Sequence, residues 1–503
     1  MLDINLFSRL SWYGLVVFLT SAIVMIIELS AGRLLAPYIG VSLYTWTSII
    51  GVVLAGLSIG SYLGGLLADR GAREKSAGLV IALAGIFSLG SLSVLKLIVP
   101  IIQFSEISLL SASFLYMLVL FMLPATLLGI VLPLLTTLGL KLDSRPGHIV
   151  GRMHALGALG SIVGTFVTGY WLIQTFGTRV TLIGCGIALI ALAAPFLFSR
   201  SKSVAVLLIA LLGGWLLQNK IQNPCDKESN YFCLRAIDVS AQTPFGTATA
   251  LVLDHLMHGV NHKSEPELLL SPYVHLMHEL PKIHFTNKPN RYNYFFAGGG
   301  AYTQPRALAF SEPKSNIIVA EVDPQVTQFA KEHLYLDPLP MKILHKDARL
   351  ALEQLKTNSL DVIVGDVFHD ISVPYHLLTK EYVVTCYDKL KPDGLFMANL
   401  VDVYPEPLLV KAFAKTLGTE FKYVSVWLDH IPSAAGRKTY IIAASNLKPL
   451  PATLNSQSGL NVSWYNISRK ILAKNGPDIP ILTDDFVPVE RLISTLLLSE
   501  LGN

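Results

Sequence analysis

The sequence predicts two parts, an α-helical transmembrane bundle and a Rossmann-like α/β domain that follows it and begins with a small β region. Hydrophobic residues make up 52% of the 503 residues and charged residues only 15%, which is too apolar for a soluble protein of this length. Long apolar runs dominate before about Gln218. Beyond it, short strands alternate with helical segments, which is the order typical of a parallel sheet.

Seven apolar runs approach the roughly 20 residues that a helix needs to cross a bilayer. They predict a polytopic transmembrane domain over residues 1–218. The fourth run contains Pro124 and Pro133, which favours a kinked span and leaves two half-spans as the alternative. The runs are Trp12 to Leu29, Leu43 to Leu67, Ala77 to Leu97, Leu109 to Leu138, Val150 to Thr175, Val180 to Phe198 and Val204 to Leu217.

Charged loops between these runs predict an orientation in the cell (inner) membrane. If Arg9 is cytoplasmic, three clusters of Arg and Lys are cytoplasmic too, and the opposite loops hold only Arg33, Lys96 and Arg179. With seven spans, the C-terminal domain then lies outside the cytoplasm. A count of six or eight spans would place it inside.

Two cysteines bear on the same question. Cys225 and Cys233 flank a short polar segment just after the last run, and an oxidising compartment would bridge such a pair. Two unrelated thiols are the alternative.

Glycines recur every fourth residue at Gly56, Gly60 and Gly64. This spacing predicts close packing of helices within one bundle. A dimer face, and so a homodimer, is the alternative.

Changes of pattern along the chain predict the remaining boundaries. Residues 219–242 are expected to form a linker, residues 243–290 the small β region, and residues 291–503 the α/β domain. Gly246 to His262 has the pattern of a β-hairpin.

A glycine loop follows the first buried strand of the α/β domain. Tyr294 to Ala297 is apolar, and Gly298, Gly299 and Gly300 come next, where residues without side chains let a ligand contact the backbone. The second strand ends at Glu321, about 20 residues later, where doubly wound sheets bind ribose hydroxyls.

The next two strands also end on carboxylates. Lys342 to His345 leads to Asp347, and Leu360 to Val364 leads to Asp366. The loop lacks the full dinucleotide spacing, because Tyr302 stands near the position of a third glycine, so NAD is disfavoured. An adenosine-type ligand without a pyrophosphate fits better.

Four segments together resemble the spermidine synthase (polyamine aminopropyltransferase) superfamily, in its membrane-fused branch. They read "FFAGGGAYTQPRAL", "AEVDPQVTQFA", "HKDARLALEQL" and "GDVFHDISVPYHLLTKEY". The resemblance implies a fold of the class I S-adenosylmethionine-dependent methyltransferase type. It also implies that Glu321 binds ribose, Asp347 contacts adenine and Asp366 accepts a proton. The other residues that it places around the donor are Gly298, Gly299, Gly300, Ala348 and Pro374.

The reaction that this resemblance implies is aminopropyl transfer from decarboxylated S-adenosylmethionine to putrescine, giving spermidine and methylthioadenosine. The donor is a co-substrate, and no tightly bound cofactor is expected. The partners are then a small polyamine and the lipid bilayer. Nucleic acid is not expected, because no basic and aromatic surface repeats occur.

Candidates for the substrate side are Tyr273, His275, His369 and Asp370. Tyr273 and His275 could instead lie on a helix surface. His369 and Asp370 belong to "FHDISVPYHLL", a loop that in the resembled family closes over the reacting groups, with an ordinary surface loop as the alternative. No second cluster of ligands accompanies them, so no metal site is expected.

One departure from the family pattern leaves the transferred group open. The soluble enzymes have an Asp directly after the glycines, whereas this chain has Ala301 and Tyr302. A membrane-anchored methyltransferase that uses S-adenosylmethionine is therefore one alternative, and a transporter or sensor of a polyamine or nucleoside is another. Asp484 and Asp485 could cap the final helix or replace the missing acid.

Overall fold

The computed structural model describes residues 4–71, 73–103, 107–198, 200–220, 223–243, 246–285, 291–336, 339–367, 373–457, 459–472 and 479–495. The chain divides into two compact units, with the boundary between Asn230 and Tyr231. The N-terminal unit is helical. Its helices are α1 (Ile4–Ile39), α2 (Leu43–Asp69), α3 (Glu74–Gln103), α4 (Leu109–Leu140), α5 (Pro146–Val167), α6 (Ile173–Leu197) and α7 (Arg200–Lys220).

Within the described residues, five helical stretches are long and apolar enough to cross a membrane. They are Arg9–Ile39, Leu43–Asp69, Glu74–Ile102, Leu109–Leu140 and Pro146–Leu197. The last one is 52 residues long and contains both the fifth and the sixth predicted runs. Gly177, with φ 76° and ψ 166°, interrupts its helical backbone, between the ends predicted for those two runs. The seventh run is represented by the shorter apolar stretch Lys202–Leu216, so seven spans stays a prediction.

Close packing explains the glycines of α2. A Cβ atom on Gly60 would lie 2.0 Å from the carbonyl oxygen of Thr126 in α4, whereas nothing lies within 4 Å of such an atom on Gly65. A Cβ atom on Gly56 would lie 2.8 Å from Cβ of Ala125, and one on Gly64 would lie 2.6 Å from Cγ of Pro133, both in α4. The glycine stripe is therefore used inside this chain, and α4 runs without interruption past both of its prolines.

A small antiparallel sheet opens the C-terminal unit. It contains β2 (Cys233–Asp238), β3 (Ala248–Leu253) and β4 (Leu256–His262), and the short β1 (Lys227–Glu228) precedes it. The predicted hairpin corresponds to β3 and β4. The linker expected over residues 219–242 is wrong in part, because β2 lies within it and pairs with β3. Cys225 and Cys233 are disulfide-bonded, and Cys185 and Cys386 are buried free thiols.

A larger mixed sheet forms the rest of the unit. Its strands are β5 (Asn293–Ala297), β6 (Asn316–Ala320), β7 (Met341–Leu344), β8 (Leu360–Gly365), β9 (Leu390–Tyr404), β10 (Tyr423–Leu428), β11 (Gly436–Ser445), β12 (Thr453–Asn455) and β13 (Ser463–Asn466). Their order is β12-β13-β10-β11-β9-β8-β5-β6-β7. β5 to β9 pair in parallel, and the strands beyond β9 are antiparallel.

Helices connect these strands. They are α8 (Pro272–His284), α9 (Thr303–Ser311), α10 (Pro324–His333), α11 (Ala348–Glu353), α12 (Lys380–Lys389), α13 (Leu408–Leu417), α14 (Ser468–Ile471) and α15 (Val489–Leu492). The strand order reverses at β5, because the chain moves first to β6 and β7 and then back to β8 and β9. In such sheets the crevice at the carboxyl ends of the strands, next to this reversal, is where ligands bind.

Candidate functional site

The glycine loop lies at the carboxyl end of β5. Gly298 has φ +89°, and a Cβ atom there would lie 2.3 Å from the carbonyl oxygen of Asp366, so only glycine fits. Gly300 also has a positive φ, of +49°, but the nearest atom to an added Cβ lies 3.9 Å away. The backbone of the loop is therefore packed against β8 at its start and open at its end.

Glu321 ends β6 and holds this loop. Its Oε2 accepts hydrogen bonds from the N–H groups of Gly299 at 2.9 Å and Gly300 at 3.4 Å, and its Oε1 accepts from Asp323 N at 2.9 Å. Burial raises the pKa of Glu321, and these three N–H groups oppose that rise by stabilising the carboxylate. The acid expected to bind ribose is thus already fixed against the glycine loop.

Asp347 lies between β7, the strand next to β6, and α11, whose N-cap it forms. Its Oδ1 accepts from the N–H groups of Arg349 at 2.9 Å and Leu350 at 3.2 Å, as the N-cap of a helix does. Its Oδ2 lies 2.7 Å from Nε2 of His376. Ala348 is buried in the first turn of the same helix.

The C-terminal segment reaches this edge of the sheet. Both terminal nitrogens of Arg349 donate to the two carboxylate oxygens of Asp484 at 2.8 Å, and the guanidinium lowers the pKa of Asp484. Arg349 also donates to the carbonyl oxygen of His376 at 3.3 Å. The expectation that Asp484 caps the final helix is wrong, because α15 begins after Pro488 without a side-chain cap.

Asp366 follows β8 and lies beside the glycine loop, where its N–H donates to Ala297 O at 2.9 Å. Burial raises the pKa of its carboxyl group from the ordinary 3.8 to about 7, and a hydrogen bond from Asn399 on β9 limits the rise. A carboxyl group with a pKa near 7 exchanges protons readily at neutral pH, as a general base must.

Tyr273 lies at the start of α8, within range of the charge of Asp366. Burial raises the pKa of its phenol well above the ordinary value, and the negative charge of Asp366 raises it further. Its hydroxyl donates to the carbonyl oxygen of His258 at 3.3 Å. The Tyr273 phenol is therefore held by the backbone of β4 and senses the charge of Asp366; its role in substrate binding stays a prediction.

His275 does not share this position. It is two residues further along α8, about 200° around the helix axis, and its ring packs edge-on against Trp464 with 5.1 Å between centroids. Its Nε2 lies 3.7 Å from the buried carboxylate of Glu279. His275 is thus buried against Trp464 and Glu279, on a different side of α8 from Tyr273, and its substrate-binding role stays a prediction.

The residues after the glycines hold no acid. Ala301 is buried, and Tyr302 is fully buried with its hydroxyl 2.6 Å from Oγ1 of Thr327. Tyr302 points into the core because its backbone is left-handed, with φ 56°. Ala301 and Tyr302 therefore supply no carboxylate at the position where the resembled family has an Asp.

Two predicted residues lie outside the described part of the chain, namely His369 and Asp370. Pro374 lies just after that gap, at the start of a short 3₁₀ turn over Tyr375–Leu377. Among the described residues no group of three or more His, Cys, Asp or Glu could hold a metal ion. Because His369 and Asp370 are not among them, the absence of a metal stays a prediction.

Sequence reasoning missed Asn399 and Arg349. Asn399 belongs to no sequence motif. Only its position on β9, level with Asp366, indicates that it contacts this residue. Arg349 is separated from Asp484 by 135 residues, so no local sequence pattern predicts their ion pair. An Arg two residues after a strand-end Asp was the one available signal.

Part of this chain is similar to known proteins. Residues 273–452 match the family model for the spermine/spermidine synthase domain. A polyamine aminopropyltransferase from Vibrio vulnificus is 34% identical over 131 residues, which are 25% of this chain and 42% of that protein. A protein from Bifidobacterium longum named probable polyamine aminopropyl transferase is 25% identical over 213 residues, 39% of this chain and 47% of its own length. The chain thus spans less than half of each of these relatives.

A solved structure described as a probable spermidine synthase from Corynebacterium glutamicum aligns with 21% identity and a TM-score of 0.43. The alignment covers 52% of this chain and 97% of that one.

The sheet order, with its reversal at β5, defines a mixed-sheet fold of the spermidine synthase and methyltransferase type. The match of residues 273–452 to the spermine/spermidine synthase domain model confirms the resemblance to the superfamily. Its membrane-fused branch stays a prediction.

Proposed function

We propose that the chain is a membrane-anchored aminopropyltransferase that uses decarboxylated S-adenosylmethionine as its donor and an amine as its acceptor. Putrescine, which would give spermidine, is the acceptor that the family resemblance implies. The observation that carries the proposal is the half-buried carboxyl group of Asp366, whose pKa of about 7 suits a base at neutral pH. Glu321 and Asp347 follow β6 and β7 and are the acids expected at ribose and adenine.

The reaction needs a neutral amine beside a positively charged sulfonium. Asp366 removes a proton from the acceptor ammonium. The freed nitrogen lone pair forms a bond to the aminopropyl carbon, and the C–S bond breaks with its electrons passing to sulfur. The products are a secondary amine and the neutral thioether methylthioadenosine. Tyr273, which the charge of Asp366 affects, is placed to orient the attacking nitrogen.

A methyltransferase is the second candidate, and one observation favours it. Ala301 and the buried Tyr302 leave no carboxylate directly after the glycine loop, so this position offers no anion that would repel the α-carboxylate of S-adenosylmethionine, the group that the decarboxylated donor lacks. Asp484 does not replace that acid, because Arg349 binds both of its oxygens.

Product analysis separates the two candidates. The purified chain is incubated with each labelled donor and a panel of amines, and the nucleoside products are identified by mass spectrometry. Methylthioadenosine release supports aminopropyl transfer, and S-adenosylhomocysteine release identifies a methyltransferase. Asp366→Asn should abolish turnover and retain donor binding. If this variant turns over at the wild-type rate, Asp366 is not the base.

The location of the site is part of the proposal. The apolar helices anchor the chain in the cell membrane, and with the seven predicted spans the charge bias of the loops favours a C-terminal domain outside the cytoplasm. The disulfide-bonded Cys225 and Cys233 support that side, because disulfides persist in oxidising compartments. An impermeant thiol reagent should label both cysteines in intact cells only after reduction. Labelling that requires permeabilisation, with or without reductant, would place the domain inside.

A further inference from the structure

The C-terminal turn, Leu482 to Phe486, is held against two helices of the C-terminal unit by its main chain. The side chain of Leu482 is fully buried. The N–H of Leu482 donates to Oγ1 of Thr416 in α13 at 3.0 Å, and its carbonyl oxygen accepts from the N–H of Lys380 in α12 at 2.8 Å. The turn therefore has contacts that fix its place independently of the side chain of Asp484.

Arg349 links the C-terminal turn to the residues that follow β7. Its two terminal nitrogens donate to the two carboxylate oxygens of Asp484 at 2.8 Å, and such a two-pronged contact fixes the orientation of a guanidinium group. One of these nitrogens also donates to the carbonyl oxygen of His376 at 3.3 Å. The side chain of Arg349 is 20% exposed and that of Asp484 is 43% exposed. Asp484 thus orients a guanidinium group that contacts the backbone of His376.

Three residues close a ring of hydrogen bonds at Asp347. The backbone N–H of Arg349 donates to Oδ1 of Asp347 at 2.9 Å, and Nε2 of His376 lies 2.7 Å from Oδ2. Because a carboxylate only accepts hydrogen bonds, Nε2 is the nitrogen that carries the hydrogen. The contact from Arg349 to the carbonyl oxygen of His376 completes the ring. Oδ2 keeps a second lone pair, so it can accept one further hydrogen bond in a direction that the ring fixes.

We propose that three residues position the nucleoside site, by holding Asp347 so that its Oδ2 accepts a hydrogen bond from the 6-amino group of adenine. These positioning residues are Asp484, Arg349 and His376. The inference rests on the adenine contact that the proposed function assigns to Asp347, and it holds for either donor, because both are adenosyl compounds. A 6-oxo purine would bring a carbonyl oxygen, which cannot donate, to the same acceptor. The C-terminal turn should therefore contribute to the selection of adenine over hypoxanthine.

Two nucleosides that differ at this position test the selection. 5′-Methylthioadenosine carries a 6-amino group and 5′-methylthioinosine a 6-oxo group, and neither carries the transferred group, so binding is measured without turnover. In calorimetry of the full chain in detergent, methylthioadenosine should bind at least about tenfold more tightly, which corresponds to one hydrogen bond to a charged group. Equal affinities overturn the inference and leave the proposed function intact. Failure to bind either nucleoside overturns both.

Variants of the ring separate positioning from general stability. His376→Ala should lower the ratio of the two affinities about fivefold or more, and Asp484→Ala should lower it about threefold, because this half-exposed side chain acts through Arg349. His376→Gln supplies an amide N–H near the same oxygen and should recover most of the ratio. Asp485→Ala removes the neighbouring exposed acid of the same turn and should leave the ratio unchanged. A loss of affinity by the same factor for both nucleosides shows a structural role alone and overturns the inference.

A double variant tests whether Asp484 acts through the ring. Asp484→Ala should lose most of its effect on the ratio when it is made in the His376→Ala chain, because residues that act through one another are not additive. Effects that multiply in the double variant show that the two residues act independently, which overturns the inference.

Discussion

Replacing Asp366 with asparagine should stabilise the C-terminal unit at pH 8 while it abolishes turnover. Burial raises the pKa of this carboxyl group from 3.8 to about 7. Between these pH values the unfolded chain has lost the proton that the folded chain still binds, so the stability of the folded state falls as pH rises through this window. The loss over about three pKa units is about 4 kcal/mol.

Asparagine cannot ionise, so the variant avoids this loss, and its side-chain oxygen can still accept the hydrogen bond from Asn399. The expected gain at pH 8 is up to about 4 kcal/mol and shrinks to about 1 kcal/mol at pH 4.5, which lies less than one pH unit above the pKa of 3.8 that applies to the unfolded chain. Thermal unfolding midpoints of the full chain in detergent measure it. A gain of this size corresponds to roughly 10 °C at pH 8 for a unit of this length.

Asp361 provides a matched control on the same strand. Its buried carboxylate accepts from Lys391 Nζ at 2.7 Å and from Asn293 N at 2.9 Å, so Asp361→Asn should lower the unfolding midpoint, by about 1–3 kcal/mol in free energy. A rise of the unfolding midpoint for Asp366→Asn together with a fall for Asp361→Asn at pH 8 would support a raised pKa of Asp366. If Asp366→Asn also lowers the midpoint at pH 8, the Asp366 carboxylate stabilises the fold and its pKa is not raised.

Three further predictions concern activity and packing. The kcat/KM of the wild-type protein should fall about tenfold per pH unit below about 7 and level off above it, because only ionised Asp366 accepts a proton; a profile flat to pH 5 contradicts that role. Gly298→Ala should unfold the loop or abolish donor binding in calorimetry, because its Cβ would lie 2.3 Å from a backbone oxygen. Gly300→Ala has 3.9 Å of space and should lower the free energy of unfolding by only about 1 kcal/mol. Equal effects of the two variants would refute the argument from close contact. Gly60→Ala, whose Cβ would lie 2.0 Å from a backbone oxygen, should lower the detergent unfolding midpoint by several degrees and Gly65→Ala should not.

The sequence predicts the parallel half of the large sheet well. Apolar runs of four to six residues, each bounded by a glycine or an acid, correspond to β5, β6, β7 and β8 almost residue for residue. In a parallel sheet buried on both faces, the strands are continuous apolar runs, and their carboxyl ends meet at one edge. The positions of Glu321, Asp347 and Asp366 therefore follow from local pattern alone.

Other features depend on contacts that local pattern does not encode. The segment Cys233–Asp238 has buried residues only at its start, so nothing in its composition separates a strand from a linker. Tyr273 and His275 are indistinguishable as candidates until the helix phase is known, because two residues along a helix turn the side chain to the other side. The pairing of Arg349 with Asp484 needs the whole fold.

Glu321 and Asp366 each follow a strand of the large sheet. Removing one side chain would affect the loop geometry, and removing the other would affect the stability of the fold. Three backbone N–H groups bond to Glu321, so a protein of this architecture that bound no nucleoside would still need that acid to shape its loop. The charge of Asp366 works against folding, and asparagine would serve the architecture better. Among chains with this fold, Glu321 is therefore expected wherever the loop is intact, whereas an acid at the Asp366 position is expected only where the proposed reaction requires it.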